Sequence, residues 1–204
     1  MNLIEMWGYC AEPKHRLLVY EYMENGSLAG NLMSNTLDWK KMYDISLGMA
    51  RGLAYLHEEC LDWILHCDIK SQNILLDSNY QPKIADFGLY KLQNRNNLNN
   101  SSFSMIRGTR DDNWKELNNG FQNVSGVEEP HGRLVTWVRE KRNQRFEMAS
   151  WVEEIIAPVI EANYDINIME TLASVALDCV EEDRDSRPTM SQVVELLQSI
   201  DNDS

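Results

Sequence analysis

The segment His66-Cys67-Asp68-Ile69-Lys70-Ser71-Gln72-Asn73 and the triplet Asp86-Phe87-Gly88 form the most informative pattern in this chain of 204 residues. They are joined by two short strand-like runs, Asn73 to Leu76 and Lys83 to Ala85, separated by a polar turn, which is the pattern of a β-hairpin. A hairpin brings its two outer ends together. We therefore expect Asn73 and Asp86 to lie close in space, although they are thirteen residues apart in the sequence.

These two segments resemble the catalytic loop and the metal-binding signature of eukaryotic protein kinases. Phosphoryl transfer needs a base for the hydroxyl proton, a cation beside the migrating phosphoryl group and oxygen ligands for Mg²⁺. Side chains of these types converge here, namely Asp68, Lys70, Asn73 and Asp86. The resemblance implies that Asp68 is the catalytic base and that Lys70 neutralises the phosphoryl group. It also implies that Asn73 and Asp86 hold Mg²⁺ against the phosphates of ATP.

Upstream, the run from Leu17 to Leu28 resembles the last small-lobe strand and the hinge of plant receptor-like kinases. By that resemblance Tyr20 is the gatekeeper, and the backbones of Glu21 and Met23 pair with the adenine ring of ATP. The alternative interpretation of this run is an ordinary buried strand that ends in a turn. Periodicity alone favours the ordinary strand.

Two downstream segments also resemble kinases. Asp185-Ser186-Arg187-Pro188-Thr189-Met190 is similar to an element near the end of the kinase large lobe, and the residues from Gly132 to Val138 are similar to a stretch in the S-domain, lectin-type receptor kinases of plants. The Ser/Thr preference of such kinases is implied by Lys70, two residues after Asp68, and by Gly108-Thr109.

The remaining pattern predicts a mixed set of elements. Strands are predicted at Leu3 to Tyr9, Leu17 to Tyr22 and Trp63 to Leu65. Asp38 is the predicted N-cap of a long amphipathic helix that runs to about His57. Further helices are predicted at Leu134 to Arg142, Ser150 to Ile156, Ile168 to Val180 and Met190 to Ile200, with Thr189 or Ser191 capping the last. The polar segment Asn94 to Ser104 is predicted to be a mobile loop.

The sequence departs from the kinase pattern in three ways. No G-x-G-x-x-G loop and no Val-Ala-Ile-Lys strand precedes Asn2, so part of the usual ATP clamp is not present in these 204 residues. After Arg110 the expected Ala-Pro-Glu element is replaced by other residues, so an internal segment is expected to be deleted. Arg187 then lacks its usual partner, and we expect it to be solvated or paired with Asp183 or Asp185. Cys67 stands where many kinases have an arginine.

Composition limits the class of protein. Of the net charge of −13, 12 units fall in residues 111 to 204, which argues against nucleic-acid binding because a phosphate-binding surface needs clustered Lys and Arg. We expect neither a membrane span nor a secretory leader in these residues, because no apolar run is long enough and the first ten residues lack the pattern of a leader. The four cysteines, Cys10, Cys60, Cys67 and Cys179, show neither zinc-site nor disulfide spacing. These features favour the cytoplasm, or the cytoplasmic face of the plasma membrane if the chain belongs to a longer receptor.

The predicted fold is therefore α+β and protein-kinase-like, with a mostly α-helical large lobe and a remnant of the small-lobe sheet. Residues 1–204 are expected to form a partial kinase domain. Its parts are small-lobe strands and hinge (1–23), helix E with the catalytic loop and activation segment (24–110), an irregular junction at the deletion (111–131), and C-terminal helices (132–204).

The predicted function is that of a serine/threonine protein kinase, with ATP and Mg²⁺ as cofactors, protein hydroxyls as substrates, and receptor or signalling proteins as further partners. The alternative is a catalytically inactive kinase fragment or pseudokinase that binds proteins. A hydrolase that uses Asp68 and His66 is a weaker hypothesis, because no nucleophile lies beside a base.

Overall fold

The computed structural model describes residues 1–12, 14–93, 130–143, 151–152 and 165–202. The chain divides into two compact units, Met1–Leu117 and Asn118–Ser204. The predicted loop at Asn94 to Ser104 and nearly all of the predicted junction at 111–131 lie outside the described residues, so these predictions stay open.

The described part of the first unit contains six short strands and two α-helices. The strands are β1 (Met6–Ala11), β2 (Arg16–Tyr20), β3 (Trp63–Leu65), β4 (Ile74–Leu76), β5 (Pro82–Ile84) and β6 (Lys91–Gln93), and the helices are α1 (Leu28–Met33) and α2 (Trp39–Ala54). The strands form three antiparallel pairs, β1 with β2, β3 with β6 and β4 with β5. The mixture of helices and small sheets confirms the predicted α+β class.

Helix α2 begins at the residue that the sequence predicts. The Asp38 carboxylate accepts a hydrogen bond of 2.8 Å from the Lys41 N–H, which satisfies one of the free donors of the first helical turn. A five-residue π-helical turn, Tyr55–Glu59, extends the helix beyond Ala54. The predicted end near His57 therefore falls inside this turn.

The β4–β5 hairpin forms the centre of the first unit. Its side chains Ile74, Leu76 and Ile84 have no exposed surface, and α2 packs against β5. The Ile74↔Ile84 pairing confirms the predicted hairpin. A continuous apolar cluster around Ile74 and Ile84 includes Leu3 and Leu56.

The segment before β1 is attached to this hairpin rather than to β2. Ile4 N–H donates to the Ile84 carbonyl at 2.9 Å, and Ile84 N–H donates to the Asn2 carbonyl at 3.0 Å. The first predicted strand, Leu3 to Tyr9, is consequently divided. Leu3 bridges to Ile84 in parallel, whereas regular pairing with β2 starts at Met6.

The β1–β2 hairpin differs from β4–β5 because its apolar side chains face solvent. Trp7 is 64% exposed and Tyr9 is 74% exposed, and the residues of β2 are exposed along its whole length. The alternative interpretation of the second predicted strand, a buried one, is therefore wrong.

The second unit contains α3 (Pro130–Asn143), α4 (Ile166–Cys179) and α5 (Met190–Asn202). These three helices confirm the predictions for their regions. Trp151 and Val152 are helical and pack with Leu177 in a small core, while the rest of the predicted helix Ser150 to Ile156 lies outside the described residues.

The residues before α5 also answer two sequence predictions. Thr189 caps α5, because its hydroxyl accepts from the Gln192 N–H at 3.3 Å and the Gln192 side chain accepts from the Thr189 N–H at 2.8 Å, so Thr189 rather than Ser191 is the cap. Arg187 is exposed, as expected, and donates to the Glu181 carbonyl at 2.7 Å. Within the described ranges, no helix is long and apolar enough to cross a membrane.

Candidate active site

His66 anchors the catalytic-loop segment from inside the protein. It is 2% exposed, its Nε2 lies 2.9 Å from the Ala85 carbonyl, and its Nδ1 accepts from the Asp68 N–H at 3.3 Å. Because Nδ1 is the acceptor, Nε2 carries the proton and donates to Ala85. The neutral ring thus connects the loop before Asp68 with the residue before Asp86.

Cys67 turns the chain so that Asp68 points inward. Its φ of 63° is in the left-handed region that side chains other than glycine rarely adopt. The thiol donates to the Leu65 carbonyl at 3.3 Å. This half-buried thiol is a local spacer in the turn.

Asp68 lies at the centre of a polar network. It is 5% exposed, and its Oδ2 lies 3.1 Å from Lys70 Nζ and 2.9 Å from Asn73 Nδ2. The same Asn73 amide donates to the Asp68 carbonyl at 3.0 Å. A buried carboxylate is stable only when it is paired and hydrogen-bonded, and both conditions are met here.

Asn73 and Asp86 are brought together by the hairpin, as predicted. The Ala85 N–H donates to the Asn73 carbonyl at 2.8 Å. Asp86, the next residue after Ala85, therefore lies close to Asn73. Asp86 is exposed and has a left-handed backbone with φ of 61°, and its Oδ1 accepts from the Gly88 N–H at 3.3 Å. Phe87 packs on the His66 ring with centroids 4.8 Å apart.

The three residues of the predicted hinge occupy different environments. Tyr20 is 43% exposed at the end of β2, opposite Met6, whereas Met23 is 8% exposed and its carbonyl accepts from the Gly26 N–H at 3.1 Å. The turn that follows the predicted hinge is hydrogen-bonded to β4, since the Leu76 N–H donates to the Gly26 carbonyl at 2.8 Å. The side chain of Glu21 points to Lys83, with Oε1 and Nζ separated by 3.1 Å.

Sequence reasoning missed the positions of His66 and Lys83. His66 is part of the kinase-like segment, but the sequence suggests a role of its own for it only in the hydrolase hypothesis, whereas in the structure it accepts from the Asp68 N–H. Lys83 carries one signal that could have been used, because it is a lone charged residue between two buried residues, Pro82 and Ile84, in a three-residue strand.

No cluster of three or more His, Cys, Asp or Glu side chains suited to a metal ion occurs among the described residues. Asn73 and Asp86 could hold a metal only as two ligands of a larger set. Mg²⁺ commonly binds in this way, through one or two protein oxygens together with waters and substrate phosphates.

Comparison with known proteins identifies the family and the relatives of this chain. Residues 1–111 match the model of the protein kinase domain. ZmPK1 of Zea mays, which carries the name of a receptor protein kinase, is 40% identical over 232 residues, which covers 99% of this chain and 28% of the relative.

Two Arabidopsis thaliana relatives are named as G-type lectin S-receptor-like serine/threonine-protein kinases. At2g19130 is 38% identical over 227 residues, covering 98% of this chain and 27% of the relative. At5g24080 is 50% identical over 115 residues, covering 54% of this chain and 13% of the relative. The chain thus spans about a quarter, or less, of the length of these curated relatives.

Proposed function

Because this chain belongs to the protein kinase family, we propose that it transfers the γ-phosphoryl group of ATP to serine or threonine hydroxyls of proteins. The observation that carries the proposal is the buried network of Asp68, in which Lys70 and Asn73 both contact one carboxylate oxygen. The network joins a base, a cation and a metal-type ligand within one loop.

Asn73 and Asp86 fit Mg²⁺ by their chemistry. Asn73 uses its Nδ2 to donate to Asp68, so the amide orientation leaves Oδ1 as the atom to bind a cation. Asp86 is exposed and presents a second carboxylate oxygen beside the one that Gly88 N–H contacts. Both are the hard oxygen ligands that Mg²⁺ prefers. When bound, Mg²⁺ neutralises phosphate charge.

The side chains of the network have distinct proposed roles. Asp68 orients the acceptor hydroxyl and receives its proton, while the Lys70 ammonium offsets the negative charge of the phosphoryl group that is being transferred. His66 holds the Asp68 backbone in place through its Nδ1. Tyr20 is the proposed gatekeeper, and the backbones of Glu21 and Met23 bind the adenine ring.

A thermal melt of the whole chain with and without Mg-ATP tests this proposal. ATP at about a hundred times its dissociation constant should stabilise the folded chain by roughly 2.7 kcal/mol. Asp86→Asn should lose most of the stabilisation that depends on Mg²⁺, because it removes a charged metal ligand.

Asp77→Asn is the matched control, since Asp77 is also a turn aspartate of the hairpin but lies at its opposite end. It should retain the shift with Mg-ATP, although loss of the charge that accepts from the Asn79 and Gln81 N–H groups should lower its stability in the absence of ligand. A cooperative melt that ignores Mg-ATP would contradict the proposal. A shift in the wild type would justify a phosphotransfer assay with Asp68→Asn as the inactive variant.

The proposed division of the chain follows the four ranges predicted from the sequence. The similarity to At2g19130 extends over 227 positions, more than the 204 residues of this chain, which supports an internal deletion relative to that protein. We place the deletion at 111–131. If the chain is part of a receptor like its relatives, it would act on the cytoplasmic face of the plasma membrane, with protein substrates and receptor partners.

The exposed apolar surface of β1–β2 favours a second candidate function, a catalytically inactive kinase module that binds proteins. Monomeric proteins rarely expose so many large apolar side chains together. This candidate predicts a cooperative melt without any shift from Mg-ATP, which is the opposite result of the same experiment.

A further inference from the structure

The side chains of Glu21 and Lys83 link the hinge directly to β5. Lys83 Nζ lies 3.1 Å from Glu21 Oε1, and the two side chains are only 19% and 20% exposed. By contrast, the ion pair between Lys40 and Asp44 on α2 is 59% and 43% exposed. Ion pairs shielded from water are screened less by salt than exposed ones.

The Glu21 carboxylate has a second partner that fixes its orientation. Its Oε1 accepts from the Glu5 N–H at 2.8 Å, and the Glu21 N–H donates to the Glu5 carbonyl at 3.0 Å. The segment from Asn2 to Glu5 therefore lies between the hinge and β5, with hydrogen bonds to both. Lys83 connects the hinge to β5 across this segment.

A short path leads from Lys83 to the proposed metal ligands. Ile84, the next residue, is bonded through both backbone polar groups to Asn2 and Ile4. Ala85 follows, and its N–H donates to Asn73 while its carbonyl accepts from His66. Asp86 comes next. The ion pair thus holds β5, which ends two residues before Asp86, against Glu21 in the predicted hinge.

We propose that Lys83 is a positioning residue that, through its ion pair with Glu21, holds Asp86 at a set distance from the hinge. The pair thereby couples binding of the base at the hinge to binding of Mg²⁺ at Asn73 and Asp86. This inference rests on the proposed function, because it concerns the same nucleotide site. The expected signature is a change in how strongly Mg²⁺ raises the affinity for ATP.

The experiment measures ATP affinity of the full chain with Mg²⁺ and with EDTA, and takes the ratio of the two. In Lys83→Met and Glu21→Gln the ratio should fall about tenfold, since displacement of a ligand by a fraction of an ångström weakens but does not abolish the site. Gln at position 21 can still accept from the Glu5 N–H, so Glu21→Gln isolates the charge. Lys83→Arg should restore most of the ratio, and Lys40→Met should keep the wild-type value.

A purely structural role would lower the melting temperature of Lys83→Met and leave the ratio unchanged, which would overturn the inference. A fall of the same size in Lys40→Met would also overturn it, because any loss of positive charge would then suffice.

Amide hydrogen exchange of the ligand-free chain separates failure of this inference from failure of the proposed function. In Lys83→Met, exchange should rise at the amides of Glu5, Glu21, Ile84 and Ala85 and stay unchanged within α2. A uniform rise, or none, overturns the inference. If the wild-type chain does not bind ATP, the kinase proposal fails, and this exchange pattern still decides whether Lys83 couples the hinge to β5.

Discussion

The hairpins β1–β2 and β4–β5 have the same antiparallel pairing but opposite environments. The side chains of Ile74, Leu76 and Ile84 in β4–β5 have no exposed surface, while Val19 in β2 is 50% exposed. Both hairpins have an antiparallel backbone ladder, and burial of apolar area distinguishes them. Each fully buried aliphatic side chain contributes about 1.5 to 3 kcal/mol relative to an exposed one.

This difference indicates where the stability of the first unit resides. A two-stranded hairpin is marginal on its own in water, and it becomes stable when it packs against a helix. The β4–β5 hairpin packs on α2 and carries the candidate active site at its open end. The β1–β2 hairpin carries Tyr20 and leads into the predicted hinge, but it buries much less apolar surface and is therefore expected to be less stable.

Truncation of a matched aliphatic residue in each hairpin should produce the largest contrast. Ile84→Ala removes a side chain with no exposed surface and should lower the free energy of unfolding by about 2 to 5 kcal/mol. Val19→Ala changes a half-exposed side chain and should stay within about 0.5 kcal/mol of the wild type. Urea unfolding of both variants provides the measurement, and equal losses would contradict the proposed difference in burial energy.

Gly52 in α2 and Gly8 in β1 offer a second contrast. For Gly52→Ala, helix propensity alone would predict the wrong sign of the change in stability. Ala is favoured over Gly within a helix by about 1 kcal/mol, so propensity predicts that Gly52→Ala stabilises α2. A Cβ at Gly52, however, would lie 2.9 Å from the Asn2 carbonyl oxygen and 2.9 Å from Ile84 Cδ1. We expect a net loss of about 1 to 3 kcal/mol from this overpacking.

Gly8 in β1 is the matched control because a Cβ there would meet no atom within 4 Å. Gly8→Ala should be neutral or stabilising by a few tenths of a kcal/mol, since it restricts the unfolded chain. Thermal melts of the two variants would measure this. Stabilisation by Gly52→Ala would mean that Asn2 does not pack closely on α2.

Much of the fold could be predicted from local signals. The Asp38 cap and the apolar spacing of Ile45, Met49 and Leu53 are sufficient for α2, and the turn between two apolar runs is sufficient for β4–β5. Helix α1 was missed because six residues are too few to establish a helical period. The pairing of β3 with β6 depends on a long-range contact between three-residue strands, which local patterns do not encode.

The candidate site likewise has features that could be predicted from the sequence and features that could not. The convergence of Asn73 and Asp86 follows from the hairpin, so it could be predicted, and the roles proposed for Asp68 and Lys70 rest on the kinase resemblance. The contribution of His66 could not, because its partner is the backbone of Ala85, 19 residues away. A sequence pattern identifies side chains that react but not backbone atoms that orient them.

His57, which follows α2, and His15, beside the β1–β2 turn, give the smallest contrast, which is in the pH dependence of stability. His57 follows α2 in the π-helical turn, and burial lowers the pKa of its imidazole, an effect that the nearby Glu58 carboxylate partly offsets. An ordinary histidine titrates near 6.5. The neutral ring thus stabilises the fold above that pH, and the stability is lost as the pH falls from 6.5 through the lower pKa of the folded state.

Urea unfolding at pH 7.5 and at pH 5.5 would test this. The free energy of unfolding of the wild type should be lower at pH 5.5, and His57 should contribute less than about 1 kcal/mol of that loss. His57→Gln should reduce that loss because its side chain does not titrate. His15→Gln changes an exposed residue beside the β1–β2 turn and should retain the wild-type loss. Of these two histidines only His57 is partly buried, so an equal effect of the two variants would mean that burial of His57 is not the source of the pH dependence.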